Sequence, residues 1–180
     1  DLSGTSKAVA VVNGTSALQV ALRLVGVNNG DEVITQALTF VATVNAILYN
    51  NAHPIFIDVD LDTMGLSPRA VATFLEEFGE IRNGYCYNKK TNKRISACLP
   101  MHTFGFPVHL DELITVCNNW NIPIVEDAAE SMGSQYKNRS TGSFGKLGVF
   151  SFNGNKIITS GGGGVIVTND LELGIKAKHL

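Results

Sequence analysis

The feature that most constrains this chain is an alternation of short apolar runs with stretches of helical period. Glu32-Val-Ile-Thr35, Pro54-Ile-Phe-Ile-Asp58, Ile95-Ser-Ala-Cys-Leu99, Ile122-Pro-Ile-Val-Glu126, Leu147 to Phe152 and Val165 to Thr168 read as strands. Ala17, Leu18, Ala21, Leu22 and Val25 form a helical stripe, and Val41 to Tyr49 and Asp111 to Asn119 also read as helices. Ser67-Pro68 places an N-cap before a proline at the first helical position, which predicts a helix running to about Phe78. Strands that alternate with helices bury both faces of a sheet when the sheet is largely parallel and helices cover each side. The pattern therefore predicts an α/β fold with a mostly parallel central sheet flanked by helices.

Composition narrows the function classes. At 180 residues, 44% hydrophobic and 17% charged, the chain can form one domain with a real core, or most of a larger domain. A net charge of −2 argues against a nucleic-acid or membrane-surface partner held by bulk charge. No uninterrupted apolar run approaches the roughly 18–20 residues of a membrane span. Cys86, Cys98 and Cys117 are odd in number and lack metal-ligand spacing, so they read as reduced core thiols and no metal is expected. The expectation is a soluble cytoplasmic protein. One stretch departs from the alternation. Glu80 to Arg94, with Tyr85, Tyr87, Lys89, Lys90, Lys93 and Arg94, reads as an exposed hairpin or long loop: a solvated excursion, or a contact surface for an anionic ligand or a neighbouring subunit.

Chemistry concentrates in a few segments. Ser151-Phe-Asn-Gly-Asn-Lys156 ends an apolar run just before the glycines Gly161 to Gly164. A lysine amine held in such a turn can bond covalently to an aldehyde cofactor, while a nearby hydroxyl and backbone amides hold a phosphate. Val11-Val-Asn-Gly14-Thr15-Ser16 takes a strand through an Asn-Gly turn into a helix beginning at Thr15 or Ser16. Such a helix end can bind phosphate, although alone the segment reads as an ordinary capped helix. Asp127 ends the strand Ile122 to Glu126, where site residues of open α/β sheets gather. It can pair with a protonated pyridine nitrogen, or simply cap the next turn. Glu126 alternates to the opposite side and reads as structural. Phe40, in Leu38-Thr-Phe-Val-Ala-Thr43, can stack on a planar heterocycle or belong to the core.

In this order, Gly14-Thr-Ser-Ala-Leu18, Thr39-Phe-Val-Ala-Thr43, His102-Thr-Phe-Gly-Phe-Pro107, Val125-Glu-Asp-Ala-Ala-Glu130 and Ser151 to Lys156 resemble the DegT/DnrJ/EryC1/StrS family of sugar aminotransferases. The resemblance spans almost the whole chain. It implies pyridoxal phosphate as cofactor and the large domain of the aspartate-aminotransferase (type I) fold. It implies Lys156 as covalent anchor and proton shuttle, Asp127 on the pyridinium nitrogen, and Phe40 on the ring face. Gly14, Thr15, Ser16 and Ser151 would hold the phosphate. Glu130 stands near the cofactor's 3′-oxygen, where many members have Gln or His. His102 lies near the substrate or is a packed structural histidine. The branch that the motifs most resemble acts on UDP-linked 4-keto-6-deoxy-N-acetylhexosamines with L-glutamate as donor, and the GDP-sugar perosamine branch is its nearest competitor.

Members of the family are nearly twice this long and work as homodimers. The chain is therefore expected to be a cofactor-binding core truncated at both ends, without the C-terminal small domain. Two other readings compete with an aminotransferase: a non-catalytic fragment serving for binding or dimerisation, and a Rossmann-like domain using Gly161 to Gly164 for phosphate. The last is weak, since those glycines precede a strand.

Overall fold

The computed structural model describes residues 3–180. Its strands are β1 (Lys7–Val11), β2 (Glu32–Gln36), β3 (His53–Ile57), β4 (Gly79–Arg82), β5 (Tyr85–Asn88), β6 (Ile95–Leu99), β7 (Val125–Asp127), β8 (Gln135–Tyr136), β9 (Arg139–Ser140), β10 (Leu147–Ser151) and β11 (Gly164–Thr168). The α-helices are α1 (Gly14–Leu24), α2 (Val41–Leu48), α3 (Pro68–Phe78), α4 (Leu110–Asn119) and α5 (Leu171–Ala177).

β3, β2 and β6 pair in parallel, as do β7 and β10. Parallel bridges from Cys98 to Ile124 and from Met101 to Asp127 carry the sheet from β6 to β7. β11 lies antiparallel between β10 and β1. The order is β1-β11-β10-β7-β6-β2-β3, parallel except for β11. This is the mostly parallel sheet that the alternation predicts.

Helices cover both faces because consecutive strand residues point to opposite sides. Val33, Ala97 and Leu99 pack with Leu18, Leu22 and Ile47 of α1 and α2. Ile34 and Cys98 pack with Leu75, Leu113 and Cys117 of α3 and α4. All three cysteines are free and buried, as expected of core thiols.

The boundaries that moved have physical reasons. α1 begins at Gly14, because Asn13 is its N-cap and accepts the Ser16 N–H at 2.8 Å. The regular part of β7 begins only at Val125. Pro123 has no N–H to give, and its carbonyl accepts from the Cys98 amide at 2.9 Å. Ser67 caps α3 as predicted, accepting from Ala70 N at 3.3 Å. The stretch from Glu80 to Arg94 is a hairpin of β4 and β5, turned through Asn83 (φ 51°) and Gly84 (φ 80°). Its arginines lie over its own tyrosines, Arg94 over Tyr85 at 4.4 Å and Arg82 over Tyr87 at 5.1 Å. Asn88 donates to the buried Glu32 at 2.9 Å and ties the hairpin to the start of β2. Among the described residues, no helix is long and apolar enough to cross a membrane.

Candidate active site

Asn13, Phe40, Met101, Asp127 and Ser151 stand at or just beyond the carboxyl ends of β1, β2, β6, β7 and β10. All of them line one cavity of about 280 Å³, together with Gly14, Thr15, Glu130 and Lys156. A crevice at the carboxyl edge of a parallel sheet is where such folds bind ligands. Residues as far apart in sequence as Asn13 and Lys156 meet there because parallel strands present the same end to the same side.

The Asn13–Gly14 turn is held by close packing. A Cβ on Gly14 would stand 2.8 Å from Ser151 Cβ, and one on Gly164 would stand 2.5 Å from the Asn13 carbonyl carbon. The start of α1 is therefore pressed against β10 and β11, with Gly14, Thr15 and Ser151 side by side on the cavity wall. First-turn amides of a helix lack intrahelical partners and favour an anion. Ser16 lies off the cavity lining, and its N–H is engaged by Asn13. Gly161 (φ 84°) and Gly163 (φ 124°) let the chain turn from Lys156 into β11.

Asp127 is 2% exposed. Its Oδ2 accepts from Thr43 Oγ1 at 2.7 Å and its Oδ1 from the Ala129 amide at 3.2 Å. Burial pushes its carboxyl above the ordinary aspartate value, and these two bonds only partly offset that. Such a carboxylate stands to gain from a cation placed against it. The Lys156 side chain is 10% exposed, and its Nζ donates to Glu130 Oε1 at 3.0 Å. The same amine stands 5.3 Å from the Phe40 ring centroid. Phe40 is 53% exposed, which removes the core reading and leaves its ring free on the cavity rim. Glu130 Oε2 accepts from the Phe104 amide at 3.3 Å.

His102 is packed within the protein instead. It is fully buried and absent from the cavity lining. Its Nδ1 accepts from the Val108 amide at 3.3 Å, so Nε2 carries the proton and donates to Glu126 Oε2 at 3.1 Å. Of the two readings of His102, the geometry carries the structural one and not contact with substrate. The polar residues that the sequence did not mark are Asn13, Asn153 and Asn155 on the wall, and Thr43 beneath it. Thr43 had a signal in the sequence. It stands three residues after Phe40, in the first turn of the helix that Phe40 caps.

With this geometry in view, the chain matches the DegT/DnrJ/EryC1/StrS aminotransferase family over residues 1–180. It belongs to that family. The protein named "Putative pyridoxal phosphate-dependent aminotransferase EpsN" of Bacillus subtilis (strain 168) is 44% identical over 98% of this chain and 43% of its own length. GDP-perosamine synthase of Escherichia coli O157:H7 is 38% identical over 96% of this chain and 43% of its own. The crystal structure of DesI in the presence of its TDP-sugar product superimposes with a TM-score of 0.85 at 32% identity, over 99% of this chain and 41% of that one. The chain thus spans less than half the length of these relatives.

Enzymes of the family depend on pyridoxal phosphate, and the residues present fit that group. A helix start packed at Gly14 against Ser151, a buried carboxyl pushed above its ordinary value, an amine and an open aromatic face converge on one cavity. A phosphate, a pyridine nitrogen, an aldehyde carbon and a ring face call for those four partners.

Proposed function

We propose that this chain is the cofactor-binding large domain of a cytoplasmic, homodimeric aminotransferase that converts a nucleotide-linked 4-keto-6-deoxy sugar to the 4-amino sugar. In this reading the sugar is a UDP-linked N-acetylhexosamine, the donor is L-glutamate, and the product feeds a surface glycan or polysaccharide. The observation that carries the reading is the convergence of Lys156, Asp127, Phe40, Gly14 and Ser151 on a single cavity. Family membership supports the transamination, and the nucleotide sugars named for two relatives support the substrate class.

Bound pyridoxal phosphate would supply an electron sink beside the reacting carbon. The rest falls to this chain's residues. Lys156 Nζ anchors the cofactor and then moves the proton at the substrate carbon. Asp127 keeps the proton on the ring nitrogen, since a carboxylate this buried gains most from a cation directly against it. Phe40 covers one face of the ring and restricts water there. Gly14, Thr15 and Ser151 hold the phosphate through first-turn amides and hydroxyls. Glu130, bonded to Lys156 at 3.0 Å, orients the amine.

The test is chemical. The natural-length protein incubated with pyridoxal phosphate is expected to gain a visible absorbance band that borohydride abolishes. The Lys156 peptide should then carry the mass of a phosphopyridoxyl group. Absence of that adduct overturns the reading. A panel of UDP-, GDP- and dTDP-linked 4-keto sugars with L-glutamate, followed by formation of 2-oxoglutarate, decides the nucleotide. An adduct without turnover on any of them overturns the nucleotide-sugar substrate and leaves the cofactor assignment standing.

A further inference from the structure

Beneath the cavity floor lies a short chain of hydroxyls. Thr39 Oγ1 stands 2.8 Å from Thr43 Oγ1, which stands 2.7 Å from Asp127 Oδ2. Thr43 is completely buried. A threonine hydroxyl has one proton to give. Thr43 has two acceptors in reach, the Asp127 carboxylate at 2.7 Å and Met101 Sδ at 3.9 Å. A bond to a carboxylate is shorter and roughly twice as strong as a neutral one, so the proton points at Asp127. Thr43 oxygen is then left to accept from Thr39.

We infer that Thr43 is a positioning residue, whose hydroxyl holds the Asp127 carboxylate in register for the ring nitrogen of the cofactor. The inference rests on the functional reading above. Geometry gives the reason. Thr43 lies in the first turn of α2, with its amide bonded to the Phe40 carbonyl at 3.1 Å. One rigid turn thus carries both the residue over the ring face and the donor that fixes the carboxylate. A donor on Oδ2 from α2 and one on Oδ1 from the Ala129 amide restrain the carboxylate at both oxygens, and each oxygen keeps a lone pair for a cation. The other charged or titratable groups acting on Asp127 are His102, after β6, and Lys156, after β10. Neither has a hydrogen bond to it, so Thr43 is the one side-chain donor on Asp127 among the described residues.

The test compares T43V and T43S with wild type in the natural-length protein. Valine keeps the shape and removes the donor, while serine keeps the donor. In cofactor-free protein, the Asp127 carboxyl, followed by carbon-13 NMR, is expected to titrate at higher pH in T43V than in wild type or T43S. In loaded enzyme, T43V is expected to retain the borohydride adduct on Lys156 but to lose roughly 10- to 100-fold in kcat, with KM for the donor unchanged. T43S should recover most of that loss. Equal titration of Asp127 in T43V and wild type overturns the inference, and so does a T43S enzyme as slow as T43V. If T43V does not fold, T43A replaces it with the same expected outcomes. A wild-type protein that forms no adduct overturns the functional reading alone, because the carboxyl titration still decides what Thr43 does to Asp127.

Discussion

Glu126 and Asp127 are neighbours on β7, and the fold treats their buried carboxyls in opposite ways. Glu126 accepts the amides of Gly142, Phe144 and Gly145 at 2.8, 2.6 and 2.7 Å, and Nε2 of His102 at 3.1 Å. Burial alone would push its carboxyl up, but His102 and the loop amides outweigh burial and hold it below the ordinary glutamate value. Asp127, on the other side of the strand, has one hydroxyl and one amide, and its carboxyl is pushed up. A structural carboxylate is one that the protein has fully satisfied. A carboxylate with fewer donors at a cavity is a candidate for pairing with something the chain does not itself provide.

Substitutions separate the two sides. The largest effect is expected at the cavity. Lys156→Ala should abolish the borohydride adduct and lower transamination by roughly 10³-fold or more, read by mass spectrometry and 2-oxoglutarate formation. An adduct elsewhere in K156A with retained turnover would break the assignment.

Next comes a contrast between neighbours, measured by urea unfolding. Glu126→Ala is expected to cost about 3–5 kcal/mol, because three loop amides and a histidine N–H lose their acceptor in the interior. Asp127→Asn is expected to change stability by less than about 1 kcal/mol, yet to lower kcat roughly 100-fold or more. If both variants lost stability equally, the division into a structural and a functional carboxylate would fail.

The pH dependence should carry opposite signs. Glu126 titrates lower in the folded protein, so its stabilisation is full above the unfolded value of about 4.3 and is lost as pH falls through the folded value. Asp127 titrates higher in the folded protein. Stability linked to its protonated form is full below the unfolded value of about 3.9 and is lost as pH rises through the folded value. In cofactor-free protein, acidification should therefore shrink the advantage of wild type over E126Q and move the balance toward wild type against D127N. Urea titrations across the acid range check both slopes.

Smaller effects sharpen the cavity side. Gly14→Ala would force a Cβ to 2.8 Å from Ser151 and is expected to cost roughly 1–3 kcal/mol, together with weaker phosphate retention. Phe40→Ala should leave unfolding unchanged, since the ring is exposed, and weaken cofactor binding by roughly tenfold at most.

Much of this was legible in the sequence because its causes are local. Apolar alternation, the Ser67-Pro68 cap and the Asn-Gly turn depend on neighbours within a few residues, and they predicted the alternation of strands and helices nearly to its boundaries. Lys156 was marked by residue type and place in the chain, whereas Asp127 and Phe40 were open to a capping and a core reading until the ordered motifs of the family resemblance singled them out. His102 was not decidable, since the same motif suits a substrate contact or a packed imidazole, and only its complete burial against Glu126 separates them. Ser16 looked equivalent to Thr15 until the Asn13 side chain claimed its amide.

The sequence by itself determined the α/β alternation and family membership, because periodicity, caps and ordered motifs are written along the chain. Only the tertiary structure decided which carboxyl is held below its ordinary value and which is pushed above it beside the cavity. That difference depends on donors far away in sequence: a loop past Thr141 for Glu126, and Thr43, 84 residues earlier, for Asp127. Crossover connections bring those donors to adjacent positions on β7, and no local pattern records which side of the strand receives more of them.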